Sequence, residues 1–196
     1  MRTIPWSEMQ WLNEPPRATI RGDVLEVETG LETDFWQKTS YGFAKDDGHF
    51  LGAPLAGDAA IEVAFRGDFT DQFDQAGLML RSGPELWLKA GIERSDGQPY
   101  ASAVVTVGMS DWSVAPIDDV PDHQSFTFRA SRQSDGVTLR YRIGSEDGWR
   151  LLRVAYLPPD AELLAGPMCC SPTRAGLAVS FESVRVGPPD DRLHED

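Results

Sequence analysis

The chain has 196 residues, of which 41% are hydrophobic and 25% charged, a composition typical of one globular domain. Its net charge of −13 argues against nucleic-acid binding and against anionic membrane surfaces, because both need clustered Lys and Arg. The same charge is compatible with a neutral ligand such as a carbohydrate or another small polar molecule, or with a basic protein partner.

Short runs of alternating apolar and polar residues follow one another along the chain, separated by turns rich in Gly and Asp such as Ser134-Asp135-Gly136. No comparable stretch keeps a helical period, so the spacing predicts an all-β sandwich or barrel. The clearest predicted strands are Val24–Glu28, Ala60–Phe65, Gln75–Arg81, Leu86–Arg94, Ala101–Val107, Ser125–Ser131, Val137–Ile143, Trp149–Tyr156 and Leu177–Val186.

The predicted strands are of two kinds. Those around Phe128 and Tyr141 have one apolar and one solvated face, whereas Gln75–Arg81, Leu86–Arg94 and Ala101–Val107 carry polar, aromatic and small residues on the second face. One solvated sheet and one grooved sheet predict an antiparallel two-sheet jelly-roll sandwich. We expect a single domain, residues 1–187, followed by an acidic disordered tail, residues 188–196.

The segment from Thr33 to Leu51 is dense in aromatic residues and carboxylates. Asp34 and Trp36 share a face if the segment is extended. They then lie at the mouth of a groove, or the aromatic residues only seal one end of the sandwich.

The strand from Leu86 to Glu93 predicts one wall of that groove. Trp87, Lys89 and Glu93 follow one another on one face, with a gap at Gly91. The preceding strand brings Gln75 beside them. A polar row with an indole is typical of sugar recognition, because the indole covers apolar CH groups while polar side chains bind hydroxyls. The alternative is a Lys89–Glu93 ion pair beside a packed Trp87, without a function.

A third segment, Val104 to Ser113, is interrupted at Gly108. Asp111 and Trp112 add a second carboxylate and a second indole to the groove, or Asp111 only stabilises the turn. The predicted ligand-binding residues are therefore Asp34, Trp36, Gln75, Trp87, Lys89, Glu93, Asp111 and Trp112.

The three histidines, His49, His123 and His194, lie in loop-like or tail contexts without ligand spacing, which argues against a zinc site and against a Ser-His-Asp triad. The acidic turns Asp46-Asp47-Gly48 and Asp118-Asp119 have the ligand type of calcium sites, but such turns are usually only solvated. We expect no metal and no cofactor.

The cysteines, Cys169 and Cys170, are adjacent, and a disulfide between neighbours closes a strained ring. We expect two free thiols, at least one of them facing the core, as in a reducing cytosol. The first residues lack a basic stretch followed by an apolar one, and no apolar run is long enough to cross a bilayer. The sequence therefore predicts a cytoplasmic protein.

Several runs resemble a family of small proteins of unknown function labelled "regulation of enolase", which is similar to the concanavalin A-like lectin/glucanase fold. They are WLNEPP, TDFWQKTSYGF, DQAGLMLR, WLKAGIE, VVTVGMSDWS and CCSPTRAGLAVSF, in order from Trp11 to Phe181. The resemblance implies an antiparallel two-sheet jelly roll but no established reaction. The Glu-x-Asp-x-x-Glu motif of related glucanases is not present.

We therefore predict a non-catalytic binding module for a carbohydrate or sugar-like metabolite. One alternative is a protein-interaction or regulatory domain that resembles an enolase regulator. The other is a glycoside hydrolase that uses Glu93. For the hydrolase, we expect Lys89 to lower the pKa of Glu93, which is the wrong direction for a general acid.

Overall fold

A computed structural model describes residues 1–117, 124–144 and 148–192. Two large antiparallel sheets face each other, and this confirms the predicted jelly-roll sandwich. A short 3-10 helix spans Trp6–Glu8. The strands are β1 (Arg2–Thr3), β2 (Gln10–Leu12), β3 (Arg17–Arg21), β4 (Val24–Glu28), β5 (Phe35–Gln37), β6 (Ala44–Asp46), β7 (His49–Leu55), β8 (Ala59–Gly67), β9 (Gln75–Gly83), β10 (Leu86–Ser95), β11 (Gln98–Val107), β12 (Met109–Pro116), β13 (Phe126–Gln133), β14 (Gly136–Ile143), β15 (Arg150–Tyr156), β16 (Leu163–Cys170) and β17 (Ala178–Gly187).

The first sheet has eight strands in the order β15-β14-β13-β8-β17-β4-β3, with β1 paired to β17. The second, which we call the cavity sheet, has the order β12-β11-β10-β9-β16-β7-β2. Strands β5 and β6 form a separate two-stranded hairpin. We call this hairpin and its turn, residues 35–46, the aromatic hairpin.

The main core fills the space between the two sheets, as the alternation of β10 predicts. Leu88, Ala90 and Ile92 are buried in this core. A second, smaller apolar cluster lies on the other face of the cavity sheet, beneath the aromatic hairpin. Its members are Phe35, Trp36, Phe50, Met79, Trp87, Val104, Met168 and Cys170.

Strands β9 and β10 approach each other closely where two glycines pair. Gly77 faces Gly91 across the ladder, and a Cβ on Gly91 would lie 2.0 Å from the backbone oxygen of Ala76. A Cβ on Gly77 would lie 2.1 Å from the backbone oxygen of Ala90. Neither position therefore accepts a side chain, and the cavity sheet has a gap there.

Two long strands of the cavity sheet, β7 and β16, are not among those predicted. Both are buried on nearly every residue, so neither shows the alternation of a half-solvated strand. Pro167 lies inside β16, where it cannot donate to a ladder. The pairing of β16 with β7 is interrupted at that point, between Ala165 and Met168.

His49 begins β7 and is buried, so its expected loop context is wrong. Its Nε2 accepts a hydrogen bond from the Gly30 amide at 2.9 Å, and its Nδ1 lies 2.7 Å from the Asn13 carbonyl oxygen. Burial lowers the pKa of His49, although the Asn13 carbonyl and Asp47 oppose that effect. The histidine is therefore a neutral, fully bonded structural residue.

The two cysteines are free and buried, as predicted. Cys169 belongs to the main core and Cys170 to the smaller cluster. Burial raises the pKa of both thiols, so neither is a reactive thiolate near neutral pH.

The predicted tail includes a residue that the sheet holds in place. Asp190 forms ion pairs with Arg129 and Arg140, and its amide donates to Ser131 Oγ at 2.7 Å. The first sheet therefore holds Asp190, and the disorder expected for residues 188–196 stays a prediction. Residues 193–196, with His194, lie outside the described residues, as do Asp118, Asp119 and His123.

In the described parts of the chain, no helix has the length and apolar character needed to cross a membrane.

Candidate functional site

A cavity of about 280 Å³ lies between the cavity sheet and the aromatic hairpin. It contains six of the eight residues predicted to bind a ligand, drawn from four separate stretches of the chain. Its lining residues are Asp34, Trp36, Tyr41, Phe43, Phe73, Gln75, Lys89, Glu93, Val104, Trp112, Pro172 and Thr173.

Lys89 joins the cavity sheet to the aromatic hairpin. Its Nζ donates to Asp34 Oδ1 at 3.0 Å and to the carbonyl oxygen of Phe35 at 2.8 Å. Burial alone would lower the pKa of Lys89, but the nearby carboxylates, chiefly Asp34, raise it on balance. Lys89 is therefore a charged ammonium group, and its ion-pair partner is Asp34 rather than the expected Glu93.

Glu93 is a buried carboxylate of the cavity, at 6% exposure, whereas Asp34 is partly buried. Its Oε2 accepts hydrogen bonds from Ser102 Oγ at 2.5 Å and from Trp112 Nε1 at 3.2 Å. Burial raises the pKa of Glu93, and the opposing effects of Lys89 and Ser102 do not cancel it. The lowered pKa expected from Lys89 is therefore wrong, because desolvation outweighs the ammonium charge.

The polar floor of the cavity has hydrogen-bonding groups to spare. No described residue donates a hydrogen bond to Glu93 Oε1 or to Asp34 Oδ2. Each of these oxygens also keeps some accessible surface. Both oxygens are therefore accessible from the cavity. Lys89 uses two of its three N–H donors. The floor offers two acceptors and one donor to a ligand.

Aromatic side chains of the hairpin form one wall of the cavity. Trp36 Nε1 donates to the Thr39 carbonyl oxygen at 3.0 Å, which holds the indole against the turn. Tyr41 contacts the Trp36 ring edge-on and stacks on Phe43, with centroid distances of 5.6 and 5.8 Å. Tyr41 and Phe43 are 57% and 45% exposed, so they stand at the cavity mouth.

The opposite rim carries Phe73 and Thr173, and buried Asp74 holds it in place. Asp74 accepts from Ser171 Oγ at 2.7 Å and from Arg174 Nη2 at 2.6 Å. Phe73 has a left-handed backbone, with φ of 65°, which a non-glycine residue keeps only when its surroundings enforce it. Its amide donates to the carbonyl oxygen of Arg94 at 2.7 Å. This rim is therefore preorganised.

Two predicted residues do not line the cavity. Trp87 is fully buried, with its ring 6.1 Å from that of Phe35 and its Nε1 bonded to the Pro84 carbonyl oxygen. It supports the floor without facing a ligand. Asp111 is exposed and pairs with Arg153 at 3.1 Å. Neighbours in a strand point to opposite faces, so Asp111 and Trp112 cannot both enter the cavity.

Sequence reasoning missed several lining residues. Tyr41 and Phe43 lie in the aromatic-rich segment that the sequence marks, but only the turn of the hairpin directs them to the cavity. Ser102 donates a hydrogen bond to Glu93. In the sequence, it appears only as a small residue on the second face of its strand. Phe73 and Thr173 left no signal, because their positions depend on the network around Asp74.

The acidic turn Asp46-Asp47 lies outside the cavity and has partners within the protein, although Asp46 Oδ1 is buried without one. Asp46 binds Arg81 at 2.7 Å, and Asp47 Oδ1 accepts from the Asp34 amide at 2.8 Å. Throughout the described ranges, no group of three or more His, Cys, Asp and Glu side chains is arranged to hold a metal ion.

The fold and the cavity together define a jelly-roll protein with a polar floor beneath an aromatic wall. Residues 11–189 match a family of proteins of unknown function, DUF1349, and the chain belongs to that family. It is 39% identical over 191 residues to "Regulation of enolase protein 1" of Saccharomyces cerevisiae, and the match covers 96% of this chain and 94% of that protein. This agrees with the family resemblance found in the sequence.

Solved structures extend the comparison. The crystal structure of a functionally unknown protein from Saccharomyces cerevisiae matches with a TM-score of 0.88 and 36% identity, over 95% of this chain and 99% of the other. The GH43 BlXynB protein from Bacillus licheniformis matches with a TM-score of 0.71 and 14% identity, over 91% of this chain and 36% of the other. At that identity, the second likeness concerns the fold alone.

Proposed function

We propose that this chain is a non-catalytic binding module whose cavity holds a carbohydrate or another small, neutral polyhydroxylated ligand. The observation that carries the proposal is the combination of unused polar atoms and aromatic rings in one cavity. Glu93 Oε1 and Asp34 Oδ2 are available to accept from ligand hydroxyls, and Lys89 to donate to them. Trp36 and Trp112 supply rings that can cover the apolar CH groups of a sugar.

Charge and size favour a neutral ligand about as large as one sugar ring. Among the described lining residues, Lys89 is the one cation, and Asp34 compensates its charge, so these residues offer an anionic ligand no free positive charge. The cavity volume of about 280 Å³ is near the lower end of ligand pockets. The net charge of −13 also disfavours nucleic acid and anionic membranes as partners.

A glycan array and a thermal-shift panel of sugars and sugar metabolites test the proposal. We expect at least one sugar to raise the melting temperature, and Glu93→Gln to weaken that sugar's affinity about tenfold or more. Asp111→Asn is the matched control, because Asp111 lies outside the cavity, and it should leave the affinity unchanged. Blank panels, or equal affinity for wild type and Glu93→Gln, would contradict the proposal. Trp87→Ala does not test ligand contact, because Trp87 is buried.

A regulatory, protein-interaction function is the second candidate, and the name of the yeast relative favours it. Exposed Tyr41 and Phe43 at the cavity mouth would be the natural contact for a partner. Affinity purification should then return a stoichiometric protein, and the double variant Tyr41→Ser, Phe43→Ser should lose it. If a sugar binds and no protein partner is recovered, the carbohydrate-binding proposal is supported and the regulatory function is contradicted. The free cysteines fit a cytoplasmic location for either function.

Glycoside hydrolysis with Glu93 is the third candidate, favoured by the raised pKa of Glu93, which is the direction that a general acid needs. The second carboxylate of the cavity is Asp34, and its ion pair with Lys89 favours the ionised form that a nucleophile or base needs. Release of 4-nitrophenol from a panel of aryl glycosides decides the matter. If the wild type releases 4-nitrophenol and Glu93→Gln does not, the protein is a glycoside hydrolase and the proposal of a non-catalytic module is wrong.

A further inference from the structure

A small recess lies in the floor of the cavity, at the gap left by Gly91. Its volume is about 10 Å³, and it shares Gln75, Lys89 and Glu93 with the main cavity. Ser102 and Met168 also line it. Gly91 lines the recess from its place between Lys89 and Glu93 on the same face of β10.

Polar side chains among the lining residues of the recess are incompletely bonded. Gln75 Nε2 donates to the Phe73 carbonyl oxygen at 3.1 Å, while no described residue donates to its Oε1. Glu93 Oε1 and the third N–H of Lys89 are likewise unused. Residues with unused acceptors, Glu93 and Gln75, and an unused donor, Lys89, therefore line a space the size of one oxygen atom. A dry apolar void would have no such lining.

We propose that this recess is a subsite for a single oxygen atom, and that it selects the ligand by accepting one hydroxyl group and rejecting larger substituents. The hydroxyl donates to Glu93 Oε1 or Gln75 Oε1 and accepts from Lys89 Nζ. This bond uses the third N–H donor of Lys89. In the free protein, one water molecule occupies the same position. The selection of a ligand rests on the proposed function, whereas the water position does not.

The volume sets the specificity. About 10 Å³ is the lower limit for one water molecule, so a hydroxyl oxygen fits but a methoxy or hydroxymethyl group does not. The recess cannot expand toward β9, because Gly77 and Gly91 already bring the two backbones into close approach. A ligand without this hydroxyl group leaves Lys89 Nζ and Glu93 Oε1 without a hydrogen-bond partner. We therefore expect such a ligand to bind more weakly.

The first experiment is a high-resolution crystal structure of the free protein. We expect one ordered water within hydrogen-bond distance of both Lys89 Nζ and Glu93 Oε1. An empty recess, or a water that contacts neither atom, would overturn the proposal without any bearing on what the main cavity binds.

The second experiment uses D-glucose, D-galactose, D-mannose, D-xylose and L-arabinose as probes. For the sugar that binds best, the monodeoxy and mono-O-methyl derivatives are compared by calorimetry. At one ring position we expect about a tenfold to hundredfold loss for the deoxy compound and a larger loss for the O-methyl compound. Equal losses at every position would refute selection by the recess while leaving sugar binding intact.

A variant of the recess sharpens the result. Ser102→Thr keeps the hydroxyl that binds Glu93 and adds a methyl group to the recess wall. It should weaken the parent sugar about tenfold. The control is Ser113→Thr, the same change on the neighbouring strand, where the side chain binds Arg153. If both variants bind the sugar like the wild type, the recess does not select the ligand. If no probe binds at all, the proposed function fails, and the crystal structure alone decides the oxygen subsite.

Discussion

Two buried carboxylates on neighbouring strands are bonded very differently. Asp74 precedes Gln75, and Glu93 pairs with Gln75 across the ladder. Both oxygens of Asp74 are fully used, by Ser171, by the guanidinium of Arg174 and by the amides of Thr70 and Asp71. Glu93 uses one oxygen and leaves the other open to the cavity. The completeness of bonding thus separates a structural carboxylate from one that can receive a ligand.

The electrostatic consequences differ in the same way. The hydrogen bonds that Arg174 donates to Asp74 raise the pKa of Arg174, so that pair strengthens its own charged state. For Glu93, burial raises the pKa, so the charged form is disfavoured until something outside the protein compensates it. The contrast leads to four predictions, given from the largest expected effect to the smallest.

Asp74→Ala is expected to lower the free energy of unfolding by about 3–5 kcal/mol, because it leaves a guanidinium, a hydroxyl and two amides without their acceptor. Urea denaturation measures the loss. The control is Asp71→Ala, an exposed partner of the same arginine, which should cost less than about 1 kcal/mol. If the two variants lose similar amounts of unfolding free energy, the structural role assigned to Asp74 is wrong.

His49 belongs with Asp74, since both its ring nitrogens are bonded. Its pKa is lowered in the folded state, so its contribution to stability is present above pH 6.5 and is lost as the pH falls below that value. The slope from this one group is at most about 1.4 kcal/mol per pH unit. In paired denaturation curves, the stability of the wild type should therefore fall relative to that of His49→Gln as the pH is lowered from 7 to 5.

Glu93→Gln is expected to leave the free energy of unfolding unchanged at pH 7 or to raise it by up to about 1 kcal/mol, because it removes a buried charge. The folded-state pKa of Glu93 is raised, so the wild type gains stability relative to the variant as the pH falls through that pKa. Paired denaturation curves from pH 8 to 4 measure this difference. A variant that is clearly less stable at pH 7 would place Glu93 with Asp74 as a structural carboxylate.

Trp112→Phe should have the smallest effect on stability, less than about 1 kcal/mol, because the ring is 37% exposed. It removes the indole N–H that donates to Glu93, and that hydrogen bond favours the ionised carboxylate. The pKa of Glu93 should therefore rise further in the variant. A carbon-detected NMR titration of the Glu93 side chain measures the change, and an unaltered or lower pKa would contradict it.

Much of the fold was predictable from strand alternation. Strand β4 was predicted with its observed bounds, and β10 with its correct faces, since both separate a core face from another environment. Strands β7 and β16 were not predicted, because burial on both faces removes the alternation and Pro167 suggests a break. Strand β10 is also buried on both faces, but its second face carries Lys89 and Glu93, so its alternation remains visible.

The site was predictable in its parts but not in its pairing. Parity placed Lys89 and Glu93 on one face, yet the partner of Lys89 is Asp34, 55 residues earlier in the chain. The pKa of Glu93 was predicted with the wrong sign, because a sequence shows a neighbouring charge but not the degree of burial. Asp111 was placed in the groove against the alternation that separates it from Trp112.

The aromatic hairpin pairs with neither large sheet through a strand ladder. It is joined to the cavity sheet mainly by side chains, such as Ser110 Oγ, which accepts from the Gln37 amide at 2.8 Å, and Arg81, which pairs with Asp46. Its turn can therefore change in length and sequence without altering the register of any strand in the sandwich. A protein built this way can vary the wall of its cavity through that turn, while the main core between the two sheets stays the same.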